Sequence, residues 1–176
     1  MHGHPDFELR PGEPVDVADS VAARVRARYF REVMGEFATG VVIVTAQASE
    51  GPVGMTCQTF SSVSLDPPLV SFIPARTSRS WPLMRAAGHF CVNVLAAGQE
   101  ELATVFASKG ADKFAGIEWR TAESGAPVLA GALAYIDCTL EVVHPAGDHD
   151  IAIGLVRALS SCSDAEPLLY HRGAFR

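Results

Sequence analysis

A chain of 176 residues with a formal net charge of -6 and no Lys/Arg-rich run fits one domain with a real core, and it excludes nucleic acid and anionic membrane surfaces as partners, since both need clustered positive charge. Its apolar runs stay short of the ~20 residues that a membrane span requires. The four cysteines, Cys57, Cys91, Cys138 and Cys162, lie far apart without a Cys-x-x-Cys pair or a preceding signal peptide, and read as reduced core residues of a cytoplasmic protein.

Residues 1–18 mix Pro, Gly and charge without periodicity and are expected to form a flexible N-terminal arm, leaving 19–176 as the domain. Asp19 or Ser20 is placed to N-cap a helix carrying Val21, Val25, Tyr29, Val33 and Phe37 on nearly one side, with Gly40 as its stop. The β-branched run Val41 to Thr45 predicts a buried strand. Glu50-Gly51-Pro52 then turns the chain into the most distinctive stretch, Gly51 to Phe72.

That stretch places Thr56, Thr59, Ser61, Ser62 and Ser64 between apolar residues, breaks at Asp66-Pro67-Pro68 and resumes as an apolar run from Leu69 to Ile73. The alternation Ser62, Val63, Ser64, Leu65 has the period of two that sends alternate side chains to opposite sheet faces. One greasy face and one uncharged hydroxyl face suggest a surface contacted by something flat and hydrogen-bonding.

From Pro74 to Ser80 the chain carries Arg76, Thr77, Ser78, Arg79 and Ser80, then enters a short helix from about Trp81 to Ala87 with Pro82 in its first turn. Hydroxyls and arginines feeding a helix N-terminus make an anion cradle, because free backbone N–H groups and the positive dipole end point toward it; capping plus solvated arginines is the plainer account of the same residues. A strand is expected over His89 to Leu95, a helix over Gln99 to Ser108, a loop from Ser108 to Trp119, and β-rich runs over Leu129 to His144, broken near Gly131, and Ile151 to Leu159. The Gly147-Asp148 pair suits the hairpin turn between the last two. Leu168 to Phe175 reads as a final strand.

Many short strands with a few inserted helices fit an antiparallel barrel decorated by helices better than a parallel βαβ sheet. No Gly-x-Gly-x-x-Gly or Walker-type loop is present, so any nucleotide binds without the Rossmann device. The run His144 to Asp150 offers His144, Asp148, His149 and Asp150 as metal donors, but a tight turn sends neighbouring side chains in different directions; a His at a barrel mouth is better placed to donate a hydrogen bond or gate a substrate. Cys57 has no adjacent His or Asn to activate it, and no Gly-x-Ser-x-Gly elbow exists. A hydroxyl-lined sheet, an anion cradle and a lone His together point to a site for a cofactor that brings its own reactivity.

Five phrases, FATGVVIVTA, PVGMTCQTFSSVSLDPPLVSF, TSRSWPLMRAAGHFCVNVL, ASKGADKFAG and AGDHDIAIGLV, occur in this order from Phe37 to Val156. In register they resemble the short flavin reductases that serve two-component flavin-dependent monooxygenases, over the chain from about Phe30 to Phe175. The resemblance implies a mainly β fold with inserted helices, a split β-barrel of the FMN-binding type, built as a homodimer. It implies oxidation of NADH or NADPH, reduction of FAD or FMN, and delivery of reduced flavin to a separate monooxygenase. A non-catalytic flavin carrier of the same fold and a metal-dependent β-barrel enzyme using His144 and His149 are the alternatives. Carried over by position, Met55, Thr56, Cys57, Gln58, Ser61, Ser62 and Ser64 line the isoalloxazine and ribityl chain, while Ala75, Arg76, Thr77, Ser78 and Ser80 hold the phosphate side. Phe106, Ser108 and Lys109 approach from the next helix end, His149 contacts the nicotinamide, and Tyr170 and Arg172 are further candidates for the pocket. At Cys57-Gln58 relatives often carry Ala-Asn or Val-Ser, so this chain departs from the pattern there.

Overall fold

The computed structural model describes residues 21–109 and 112–176; the expected arm and the helix N-cap at Asp19 or Ser20 lie outside them. In chain order the elements are α1 (Val21–Met34), β1 (Thr39–Gly40), β2 (Val42–Ala48), β3 (Gly51–Cys57), β4 (Ser61–Leu65) and β5 (Pro68–Phe72). They continue as α2 (Ser80–Ala87), β6 (His89–Val94), α3 (Glu100–Ala107), β7 (Trp119–Thr121), β8 (Pro127–Leu129), β9 (Ala134–Ala146), β10 (His149–Ser161), β11 (Leu169–His171) and β12 (Ala174–Phe175).

Seven strands form one antiparallel sheet in the order β3-β2-β6-β9-β10-β5-β4. Its two end strands, β3 and β4, follow one another in the chain yet are not hydrogen-bonded to each other, which leaves the sheet split. The mainly β architecture with inserted helices is the one expected.

β2 is buried along nearly its whole length because both of its faces are covered. Val42, Val44 and Ala46 pack into a core with Phe72, Trp81, Met84 and Phe90. On the other side Ile43 joins Ala103 and Phe106 of α3, with Leu95, Leu129 and Leu168. The period of two therefore sorts the run into two cores, consistent with a strand that is apolar on both faces. Phe72 anchors the first core, meeting Trp81 edge-on at 5.6 Å and Phe90 at 5.0 Å between ring centroids. Thr45 and Asn93, both buried, satisfy each other and the carbonyl of Pro127, so the polar pair tolerates the apolar surroundings.

Several sequence expectations are corrected. α1 ends at Met34, not at Gly40: Glu36 and Phe37 donate to the carbonyls of Val33 and Met34 in tighter turns, and Thr39–Gly40 instead pairs with β11. The period-two alternation of β4 is interrupted, because Ser62 and Ser64 pair with the adjacent residues Val70 and Leu69, leaving Val63 as a bulge. Val63 and Leu65 are consequently 49% and 93% exposed, so the greasy face expected there is not buried within the chain. The final strand is a hairpin, β11 and β12, turned at Arg172-Gly173. The break near Gly131 holds, with β8 paired to β7 and β9 returning to the main sheet.

Of the cysteines expected in the core, Cys57, Cys91 and Cys138 are buried and Cys162, just past β10, is exposed. Burial raises the Cys57 and Cys138 thiols to about 12 and raises Cys91 as well. Since the thiolate is the reacting species, a disulfide reagent at pH 8 is expected to modify Cys162 quickly in the native protein and the other three only after unfolding. Mass-spectrometric mapping of the labelled residue checks this; prompt native labelling of Cys57 or Cys138 would contradict the packing.

Candidate functional site

Where β3 runs along the end of the sheet, a cleft of about 650 Å³ opens between it and the helices. Pro52 to Thr56 form one wall, and the segment from Ala75 to Ser80 with Leu83 of α2 forms another. The end of α3 at Phe106 and the residues around Lys109 and Lys113 complete it.

Gly54 is the point where these walls meet. Its carbonyl accepts hydrogen bonds from Ser80 Oγ at 2.8 Å and Lys113 Nζ at 3.2 Å, and Lys113 also donates to the Phe106 carbonyl at 2.8 Å. The Phe106 ring lies so close that a Cβ on Gly54 would sit 2.4 Å from Cε1. A glycine inside a strand is generally unfavourable, and here it is what admits the ring. Phe114 packs edge-on against Phe106 at 5.0 Å and closes the apolar side.

The polar side is cationic. Among the described residues Arg79, Lys109 and Lys113 line the cleft against one carboxylate, Asp112, whose Oδ1 accepts the N–H groups of Phe114 and Ala115 and so shapes its own turn. Burial lowers the Lys113 pKa from the ordinary lysine value. α2 begins at this wall; Arg79 at its N-cap makes no side-chain capping bond, and Ser78 Oγ accepts the Trp81 N–H at 3.3 Å. A helix start facing three cations is suited to an anion.

Residues 34–176 match the family model of the flavin reductase like domain. The chain belongs to that family. The reductase subunit HsaB of a flavin-dependent monooxygenase from Mycobacterium tuberculosis is 46% identical over 157 residues, covering 88% of this chain and 84% of HsaB. A flavin reductase of Pseudomonas putida is 46% identical over 159 residues, 90% of this chain and 94% of that protein. Among solved structures, the NADH:FAD oxidoreductase SgcE6 of Streptomyces globisporus C-1027, in complex with NAD and FAD fragments, matches with a TM-score of 0.80 and 40% identity over 87% of this chain and 91% of that one.

In this flavin reductase the residues expected to form the site separate into groups. Met55, Thr56, Ala75, Thr77, Ser78 and Ser80 line the cleft, as do Phe106, Ser108 and Lys109. The hydroxyl of Thr56 is already engaged, donating to the Ala103 carbonyl at 2.6 Å. Arg76 and His149 stand beside the cleft wall: Ala75 and His149 form a bridge, and Arg76 N–H donates to the Asp148 carbonyl. His149 Nδ1 is 2.7 Å from Asp148 Oδ1, a hydrogen bond that lowers the Asp148 pKa.

The remainder lie away from the cleft of the single chain. Cys57 turns its side chain into the core, leaving its backbone, and Gln58 is exposed past the end of β3. Ser61, Ser62 and Ser64 are on β4, at the opposite end of the sheet order. Tyr170 packs edge-on against Phe175, and Arg172 forms a surface pair with Glu36 at 2.6 Å. A metal site at His144 and His149 would need a further ligand, and among the described residues no group of three His, Cys, Asp or Glu side chains converges. Gly54 and Lys113 were missed by sequence reasoning, whereas Arg79 entered it only as part of the anion cradle; a glycine in the interior of a strand is the signal that marks the first.

Proposed function

We propose that this flavin reductase oxidises NADH to reduce FAD, and that reduced FAD passes to a separate flavin-dependent monooxygenase. The cleft carries the proposal: a backbone-rich β3 wall beside three cations and a helix start suits a flat, hydrogen-bonding ring attached to phosphate. Its volume, about 650 Å³, is within the ~300–1,000 Å³ common for small-molecule sites. The NADH:FAD activity in the name of SgcE6 and the monooxygenase in the name of HsaB support the choice of substrates and partner.

In this proposal Met55, Thr56 and the backbone at Cys57 and Gln58 face the ring. Ala75 to Ser80, Lys109 and Lys113 hold the phosphates, and His149 orients the nicotinamide from the rim. When bound, flavin accepts the hydride by its own chemistry. The protein contributes position, worth several kcal/mol when two reactants are held in near-attack geometry, and Leu83 and Phe114 keep water from the apolar side. The working unit is residues 19–176 as a cytoplasmic homodimer. Val21, Val25 and Val33, within about 120° of one another around α1, are 51–70% exposed, an apolar side that a second copy would cover. Any contact of Ser61, Ser62, Ser64, Tyr170 or Arg172 with flavin depends on that dimer.

A turnover matrix of NADH and NADPH against FAD, FMN and riboflavin is expected to give its highest kcat/KM for NADH with FAD, and absence of nicotinamide oxidation in every cell would refute the proposal. His149→Ala is expected to raise the nicotinamide KM by about tenfold, the loss of one positioning hydrogen bond, with little change in flavin KM. Unchanged nicotinamide KM and turnover would remove His149 from this role.

A further inference from the structure

Asp150 is 5% exposed, one of the few buried charged groups. Its Oδ2 accepts the indole N–H of Trp81 at 2.8 Å, and its Oδ1 lies 3.6 Å from Arg76 Nε. Both partners adjoin residues of the cleft wall without lining it: Trp81 follows Ser80 in the first turn of α2, and Arg76 lies between Ala75 and Thr77 in the loop that leads to it. The backbone repeats the connection, with Asp150 N–H donating to the Pro74 carbonyl at 3.0 Å and Arg76 N–H to the Asp148 carbonyl at 2.9 Å. Trp81 is 3% exposed and rests edge-on against Phe72, so the indole has no room to follow a displaced loop.

A carboxylate taken out of water is unfavourable unless its partners are held in place. Here the carboxylate joins two segments distant in sequence, the turn that carries His149 and the loop from Ala75 to Ser80. Arg76 is 56% exposed, so the ion pair is the weaker arm and the buried indole bond the stronger. We infer that Asp150 is a positioning residue that clamps the His149 turn to the phosphate-side loop, so that the two substrate sites are set by one side chain. This rests on the roles proposed above for that turn and that loop.

The test uses the full chain carrying Asp150→Ala, Asp150→Asn or Trp81→Phe. Flavin affinity is read by fluorescence quenching without nicotinamide, NADH KM and kcat by steady-state assay, and folding by thermal midpoint. Asp150→Ala is expected to weaken FAD binding and raise NADH KM together, each about tenfold, as expected for a lost buried charge-assisted hydrogen bond, with a smaller effect on kcat. Asp150→Asn, whose carbonyl still accepts the indole N–H, should restore most of both; Trp81→Phe should reproduce the paired shift with Asp150 intact.

A lowered thermal midpoint with unchanged FAD affinity and NADH KM would make Asp150 purely structural and overturn the inference, as would a shift in only one substrate. If Asp150→Ala does not fold, the same readouts on Asp150→Asn and Trp81→Phe decide. Active wild-type enzyme with unshifted variants refutes the clamp alone, whereas wild-type protein that neither binds flavin nor oxidises NADH refutes the proposed function and the clamp with it.

Discussion

Gly54→Ala is expected to destabilise the protein by about 1–3 kcal/mol, the usual range for overpacking a filled core, and to weaken flavin binding by about tenfold or more. Elsewhere in a strand the same change would stabilise by roughly 0.5–1 kcal/mol, because glycine loses more conformational freedom on folding. The sign reverses here because the new methyl would lie 2.4 and 2.6 Å from ring carbons of Phe106. That ring is fully buried and backed by Phe114, so it gives way only by moving into the cleft or shifting α3. Thermal midpoint and flavin titration measure the two effects, and Phe106→Leu in the same chain should recover part of each. A Gly54→Ala protein as stable as wild type and with wild-type flavin affinity would show that the convergence at Gly54 does not shape the site.

Lys113→Met should separate phosphate recognition from ring recognition. The ammonium donates to the carbonyls of Gly54 and Phe106, tying β3 to the end of α3, and it is one of three cations at the cleft. Removing it is expected to raise the KM for FAD and FMN about tenfold, a modest Coulombic loss at a partly solvated site. Riboflavin, which lacks phosphate, should change much less. Equal effects on all three flavins would mean that Lys113 acts through the fold alone. Its titration adds a second readout. Burial lowers its pKa from the ordinary value of 10.5, so between the folded pKa and 10.5 the unfolded chain binds more protons than the folded one. Stability then rises with pH across that window. The thermal midpoint of wild type relative to Lys113→Met should therefore improve as pH climbs toward 10.5, and a difference that is flat or reversed there would contradict the burial of the charge.

Both variants act on residues that sequence reasoning passed over, and the reason is physical. The run Val41 to Thr45 was legible because β-branched residues with no polar interruption specify a buried strand locally. The hairpin at Gly147-Asp148 was legible because Gly147, at a φ of 63°, supplies a conformation that few other residues adopt. The period-two alternation expected of β4 failed for the converse reason: a bulge at Val63 shifts it, and bulges arise from strand pairing, which no single strand encodes. Phe106 was legible as a site residue only through the family resemblance; its spacing on α3 is equally that of a core residue.

By itself, then, the sequence determined the mainly β architecture, most strand positions, the anion-suited loop before α2 and the kinship with flavin reductases, all properties of neighbouring residues or of order along the chain. Tertiary structure alone decided which of those residues share a cleft. The bonds that build it join residues 26, 59 and 69 positions apart, from Ser80 to Gly54, Lys113 to Gly54 and Trp81 to Asp150. Such contacts depend on the register of the whole sheet, so local periodicity and composition carry no trace of them.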